Sequence, residues 1–126
     1  MQKLKFHPAW ERTLSAKDRT QIESIFQDSK LSSEEQIQFT PVWQATNYKK
    51  ELLITVLIHN TGKTAFTFDN QKMAYTQNGE TIAESTFTLP VSIHEQTSMP
   101  WTFIFPTGSF SKKETYHSGT LAMKDF

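Results

Sequence analysis

Four histidines, His7, His59, His94 and His117, are the residues best suited to acid–base chemistry or metal binding near neutral pH. No two of them stand two or four apart, so no single strand or helix presents a pair of ligands. The chain has no cysteine, which removes thiolate ligands, thiol nucleophiles and disulfides together. The histidines are read as surface or strand-end residues. An enzyme would need His59 or His94 held in a pocket beside a serine or a carboxylate. Serines are plentiful, but no G-x-S-x-G elbow occurs. Glu34-Glu35 is the only adjacent carboxylate pair, and it lies in a polar connection where solvation explains it. Thr61-Gly62-Lys63-Thr64 ends like a phosphate-binding loop. That motif needs an earlier glycine where Leu57 stands and a helix where Phe66-Thr67-Phe68 reads as strand, so the segment is a turn. The expectation is a protein that is not an enzyme, with no metal and no cofactor.

Rings are the other resource. The chain carries 3 Trp, 3 Tyr and 10 Phe. In a small β domain such rings mostly fill the core. The alternative reading is a small-ligand or carbohydrate site that uses Trp43, His94 and Trp101 beside the loop Val91–Ser98. Lys plus Arg equals Asp plus Glu at 13 each, and the only tight cationic pairs are Lys49-Lys50 and Lys112-Lys113. That balance argues against a nucleic-acid partner. No apolar run approaches the ~20 residues of a membrane helix, and MQKLKFHPAWERTLS lacks the apolar core of a signal peptide. A cytoplasmic chain without membrane insertion is expected.

The elements that must hold these residues are mostly strands. Met99 to Phe110 is the organising stretch. Trp101, Phe103 and Phe105 alternate with Thr102 and Ile104, and Pro100 and Pro106 read as stops at either end. Glu51 to His59 is apolar on both faces and should be central. Further strands are expected at Ile37–Trp43 (edged at Pro41), Phe66–Phe68, Met73–Gln77, Thr81–Leu89 and Thr120–Met123. Asn78-Gly79 marks a two-residue hairpin. Before the strands, Leu4 and Phe6 alternate briefly, and Pro8 suits a first helical turn. Ser15 with Asp18 caps a helix whose apolar stripe is Ile22, Ile25 and Phe26, with Arg19 and Glu23 as a wet-side pair. The length of 126 residues fits one domain. The expected fold is mainly β, an immunoglobulin-like β-sandwich of about seven strands spanning 37–124, with a helical N-terminal segment, 1–30, packed on it. An edge strand of such a sandwich could pair with a second copy as a homodimer.

Two motifs carry a resemblance. Leu4-x-Phe6-His7-Pro8-Ala9-Trp10-Glu11-x-x-Leu14-Ser15-x-x-Asp18 opens the chain, and Thr86-Phe87-x-Leu89 precedes Pro100-Trp101-x-Phe103-x-Phe105-Pro106. In that order they resemble the SLAP domain, a family found mainly in Bacillus-type, Gram-positive bacteria. The resemblance spans nearly the whole chain. It implies a single-copy relative of an S-layer assembly protein of the accessory Sec system, with no catalytic residues to carry over. His7, Pro8, Trp10, Pro100, Trp101, Phe103, Phe105 and Pro106 match as structural positions. The function it implies is a protein-interaction module, with a protein partner in secretion or S-layer assembly.

Overall fold

The computed structural model describes residues 2–77, 79–108, 110 and 119–124. Asn78, His117 and the Lys112-Lys113 pair, all singled out by the sequence, lie outside these residues. Strands hold 49% of the described chain and helices 17%, so the protein is mainly β. In chain order the elements are β1 (Lys3–Leu4), α1 (Pro8–Thr13), α2 (Ala16–Asp28), β2 (Ile37–Thr46), β3 (Leu52–Asn60), β4 (Phe66–Thr67), β5 (Gln71–Gln77), β6 (Glu80–Phe87), β7 (Ser92–Ile93), β8 (Thr97–Phe105) and β9 (Thr120–Lys124). Nine strands thus stand among the described residues, where the sequence suggested about seven. The additions are β1 and β7, two-residue strands too short to show a period. Residues 91–98, expected as a loop, hold β7 and the start of β8.

The strands form three sheets, ordered β1-β8-β3-β2, β6-β5-β9 and β4-β7. As expected, β3 is central, with an unbroken antiparallel ladder to β8 from Leu52↔Phe105 to Asn60↔Thr97. Pro100 does not stop β8 but sits inside it, opposite Leu57. The reason is directional. The Gln96 and Ser98 carbonyls accept from the Lys3 and Lys5 amides, so even-numbered positions turn their main-chain groups towards β1. Pro100 is the next even position, where β1 has already ended. Its missing N–H therefore costs no ladder bond. The β5–β6 hairpin closes Gln77 against Glu80, and Gly79 takes φ 78° in the turn.

Residues paired across a ladder share a face. One face of the large sheet presents Leu52, Ile54, Val56 and Ile58 from β3 with Met99, Phe103 and Phe105 from β8. Met73, Tyr75, Ile82 and Leu121 of the three-stranded sheet join them in one core. Phe103 is its hub, with the rings of Phe39, Phe68 and Phe87 at centroid distances of 6.3, 6.0 and 5.1 Å. The opposite face carries Leu53, Thr55, Leu57 and His59. There the helical segment supplies the cover: Ile22 and Leu57 are both fully buried yet lie outside the main core.

The helical segment follows its caps. Ser15 accepts from the Asp18 amide at 3.0 Å, as the sequence suggested. His7 caps α1, its Nδ1 accepting from the Ala9 amide at 3.1 Å, with Pro8 as the first helical residue. Arg19 does not pair with Glu23. It bridges back to Glu11 at 3.1 Å and lies over the Phe6 ring at 4.4 Å, which joins the two helices.

Candidate functional site

The residues with reactive side chains converge at one place, on the helix-covered face of the large sheet. His59 is fully buried, and its ring nitrogens meet Thr40 Oγ1 at 2.8 Å (Nε2) and Ser98 Oγ at 2.6 Å (Nδ1). β2, β3 and β8 position the three side by side. Thr40 makes a 3.2 Å contact to Ser29 Oγ at the end of α2, and Ser98 accepts from Gln2 Nε2 at 3.1 Å. A histidine beside a serine is half of what acyl-transfer chemistry needs. Here, however, Ser98 and His59 are both sealed from solvent, and none of the clefts described below is lined by either. Burial also lowers the His59 pKa to about 4, so the imidazole is neutral near pH 7. The arrangement ties strands and helix together and presents no surface to a substrate.

Asn60, next along β3, explains the Gly-Lys-Thr turn. It is fully buried, donates to the carbonyls of Thr64 (2.8 Å) and Ile93 (2.9 Å), and accepts from the Gly62 amide at 3.0 Å. The amide a phosphate would need is thus engaged, in agreement with the turn reading.

The three residues of the carbohydrate reading are not brought together. Trp43 pairs with Thr55, because a bulge between Pro41 and Trp43 shifts its parity. It therefore lies on the helix-covered face. Trp101 pairs with Val56 and lies on the core face, near the far edge of the sheet. Both indoles are half-buried, as is that of Trp10. His94 is exposed and lines a separate charged cleft of about 340 Å³ with Lys3, Lys5 and Glu95. Of the structural signature, Phe103 and Phe105 are core residues, Pro100 is buried and Pro106 is exposed just after β8. His7 and Trp101 touch edge to face at 5.7 Å.

The more open feature is a seam between the two sheets. β2 and β9 are each the last strand of their own sheet, and they lie side by side. At one end the seam is clamped. Tyr75 donates to Gln44 of β2 and accepts from the Gly119 amide at 2.8 Å, and only about 80 Å³ remains there. At the other end it widens to a cleft of about 570 Å³ between residues 35–39 and 120–123. Ile37, Phe39, Phe66, Leu121 and Met123 make its walls apolar. Among the described residues no histidine or cysteine lines it, and no group of three His, Cys, Asp or Glu could hold a metal. Sequence reasoning found neither this seam nor the Thr40–His59–Ser98 cluster, since both depend on which strands become neighbours.

Fold and site together define a small mainly-β module with a helical layer over one sheet face and an open seam between two sheet edges. The SLAP domain family profile matches residues 4–123, and the chain belongs to that family. No curated protein and no solved structure matches the chain. No helix among the described residues is long and apolar enough to cross a membrane.

Proposed function

We propose that this SLAP domain is a non-catalytic protein-interaction module of secretion or surface-layer assembly, and that it takes an extended polypeptide segment in the β2–β9 seam. One observation carries the reading: two sheet edges lie side by side at an apolar cleft and are held at the other end by Tyr75. Unpaired strand edges recognise an extended backbone, and alternate side chains of that backbone would enter between Ile37, Phe39 and Leu121. Family membership supports the surface-layer context. The sealed position of His59 and Ser98 supports a non-catalytic role. An immunoglobulin-like kinship of the fold belongs to the same proposal, supported by two sheets that share one core. So does a cytoplasmic working place, to be checked by cell fractionation.

Photo-crosslinking groups at Gln38 and Ala122, compared with Lys72 on β5, test it in a surface-layer-forming host. The expected result is adducts from the first two positions only, lost when Met123→Asp places a charge in the cleft. Equal adducts from all three positions overturn the seam. Adducts to a second copy of the chain would instead favour an edge-strand homodimer.

A further inference from the structure

Proton counting fixes the state of the buried cluster. The Gln2 side-chain nitrogen donates to the Asn60 carbonyl at 3.1 Å, so its nitrogen is identified, and it also donates to Ser98 Oγ. Ser98 is fully buried, and among the described residues the acceptor that meets its hydroxyl is His59 Nδ1. The proton of the neutral imidazole is therefore on Nε2, which donates to Thr40 Oγ1. At the far end the Ile25 carbonyl can only accept, and it takes the Ser29 proton at 2.7 Å. The same Ser29 hydroxyl also reaches Thr40 Oγ1 as donor, at 3.2 Å. The hydrogen bonds from Gln2 through Ser98 and His59 thus run in one direction as far as Thr40, where the Ser29 hydroxyl at the end of α2 also donates.

A second proton on His59 cannot be accommodated by that chain. An Nδ1–H would face the Ser98 oxygen that already accepts from Gln2, and would strand the Ser98 proton without an acceptor in a dry site. Among the described residues nothing charged stands by to compensate. β2, β3 and β8 contain no ionisable side chain apart from His59. On β1, Lys3 is exposed, as is Lys5 just beyond it. α1 carries Glu11 and Arg12, both exposed. On α2, Lys17, Glu23 and Asp28 are exposed, Asp18 belongs to the N-terminal cap, and Arg19 is engaged with Glu11 and Phe6. The layer that must yield is the thinly anchored one. α1 buries no residue and α2 buries only Ile22, whereas β3 is laddered on both sides along its length.

We propose that the Gln2–Ser98–His59–Thr40–Ser29 chain is a proton-sensitive latch, and that protonation of His59 releases the N-terminal helical layer from the sheet while the sheets stay folded. The lowered His59 pKa agrees with it, since burial already opposes the charge.

Amide hydrogen exchange of the full chain between pH 7.5 and 4.5, corrected for intrinsic rates, tests the latch. Protection of the α2 amides should fall by up to about tenfold per pH unit below about pH 6.5. It should be insensitive to low denaturant, and the α2 amides should stay less protected than those of β5. His59→Gln should remove the pH dependence. Thr40→Val should loosen α2 already at pH 7.5. Should His59→Gln not fold, imidazole ¹⁵N shifts of the unaltered chain decide, with an Nε2–H tautomer expected at pH 7.5. An Nδ1–H tautomer overturns the proposal. So does α2 protection that is flat with pH, or α2 exchange that coincides with β5 at every pH.

Discussion

The imidazole of His7 stands edge-on to the indole of Trp101, with centroids 5.7 Å apart and planes at 87°. The contact joins the cap of α1 to the core-facing side of β8 at the edge where β1 ends. Residues 94 positions apart, one in each of the two motifs singled out in the sequence, thus become one joint. Trp101 is only half-buried, so Trp101→Ala should cost about 2 kcal/mol, less than a sealed tryptophan. A double-mutant cycle with His7→Ala, read by urea denaturation, should give a coupling of about 0.5–1.5 kcal/mol. Additive losses would show that the rings do not support each other.

Much of the scaffold was legible because period and punctuation are local. Alternation identified Phe103 and Phe105, continuous apolarity identified β3, and Ser15 with Asp18 marked α2. Pro100 misled, because its effect depends on which neighbour its missing N–H would have faced, and that is fixed by β1, far away in sequence. The face of Trp43 was illegible for a related reason: a bulge between Pro41 and Trp43 sets it. The candidate sites were illegible on the same ground. Thr40, His59 and Ser98 are ordinary polar residues until three strands bring them together. The seam between β2 and β9 has no sequence motif at all.

Alternation along β8 can be tested directly. Phe103 is 1% exposed at the hub of the aromatic core, while its neighbour Ile104 is 44% exposed on the other face. Phe103→Ala should cost about 3–5 kcal/mol, read as a lowered denaturation midpoint. Ile104→Thr should stay within about 0.5 kcal/mol. Comparable losses at both positions would be incompatible with the register of β8.

Acid should weaken the fold through His59. Its native pKa of about 4 lies below the 6.5 of an exposed imidazole, so between those values the unfolded chain binds a proton that the native chain refuses. Stability from this group is therefore complete above pH 6.5 and is lost as pH falls to 4. The loss should total about 3 kcal/mol. Urea midpoints across that range should slope upward with pH, and His59→Gln should flatten the slope. An unchanged slope in the variant would assign the effect to carboxylates.

Gly119 is required by its surroundings rather than by its backbone angles. A methyl group there would run into the Thr76 carbonyl, the Tyr75 ring (2.7 Å) and the Gln77 side chain (2.8 Å). The first of these is backbone of β5 and cannot turn aside. Gly119→Ala should therefore push β9 away from β5 and cost about 1–3 kcal/mol. Thermal denaturation would show it as a lowered midpoint, whereas Gly79→Ala, with open space around it, should show only the smaller cost of its positive φ.

Tyr75 separates stability from seam geometry. Its hydroxyl is the bridge between Gln44 on β2 and the Gly119 amide that leads into β9, and Gln77 Nε2 also reaches it at 3.4 Å. Tyr75→Phe keeps the buried ring but removes the hydroxyl's bonds to Gln44 and to the Gly119 amide. The expected cost is about 1–3 kcal/mol. Because the bridge is what draws the two sheets together at that end, its loss should also widen the seam. Exchange of the β9 amides should then rise more than that of β3, which is laddered on both sides. Crosslinking from Gln38 and Ala122 should become less selective as well. If Tyr75→Phe lowers stability while β9 exchange and crosslinking hold their pattern, the hydroxyl stabilises the fold without setting the seam.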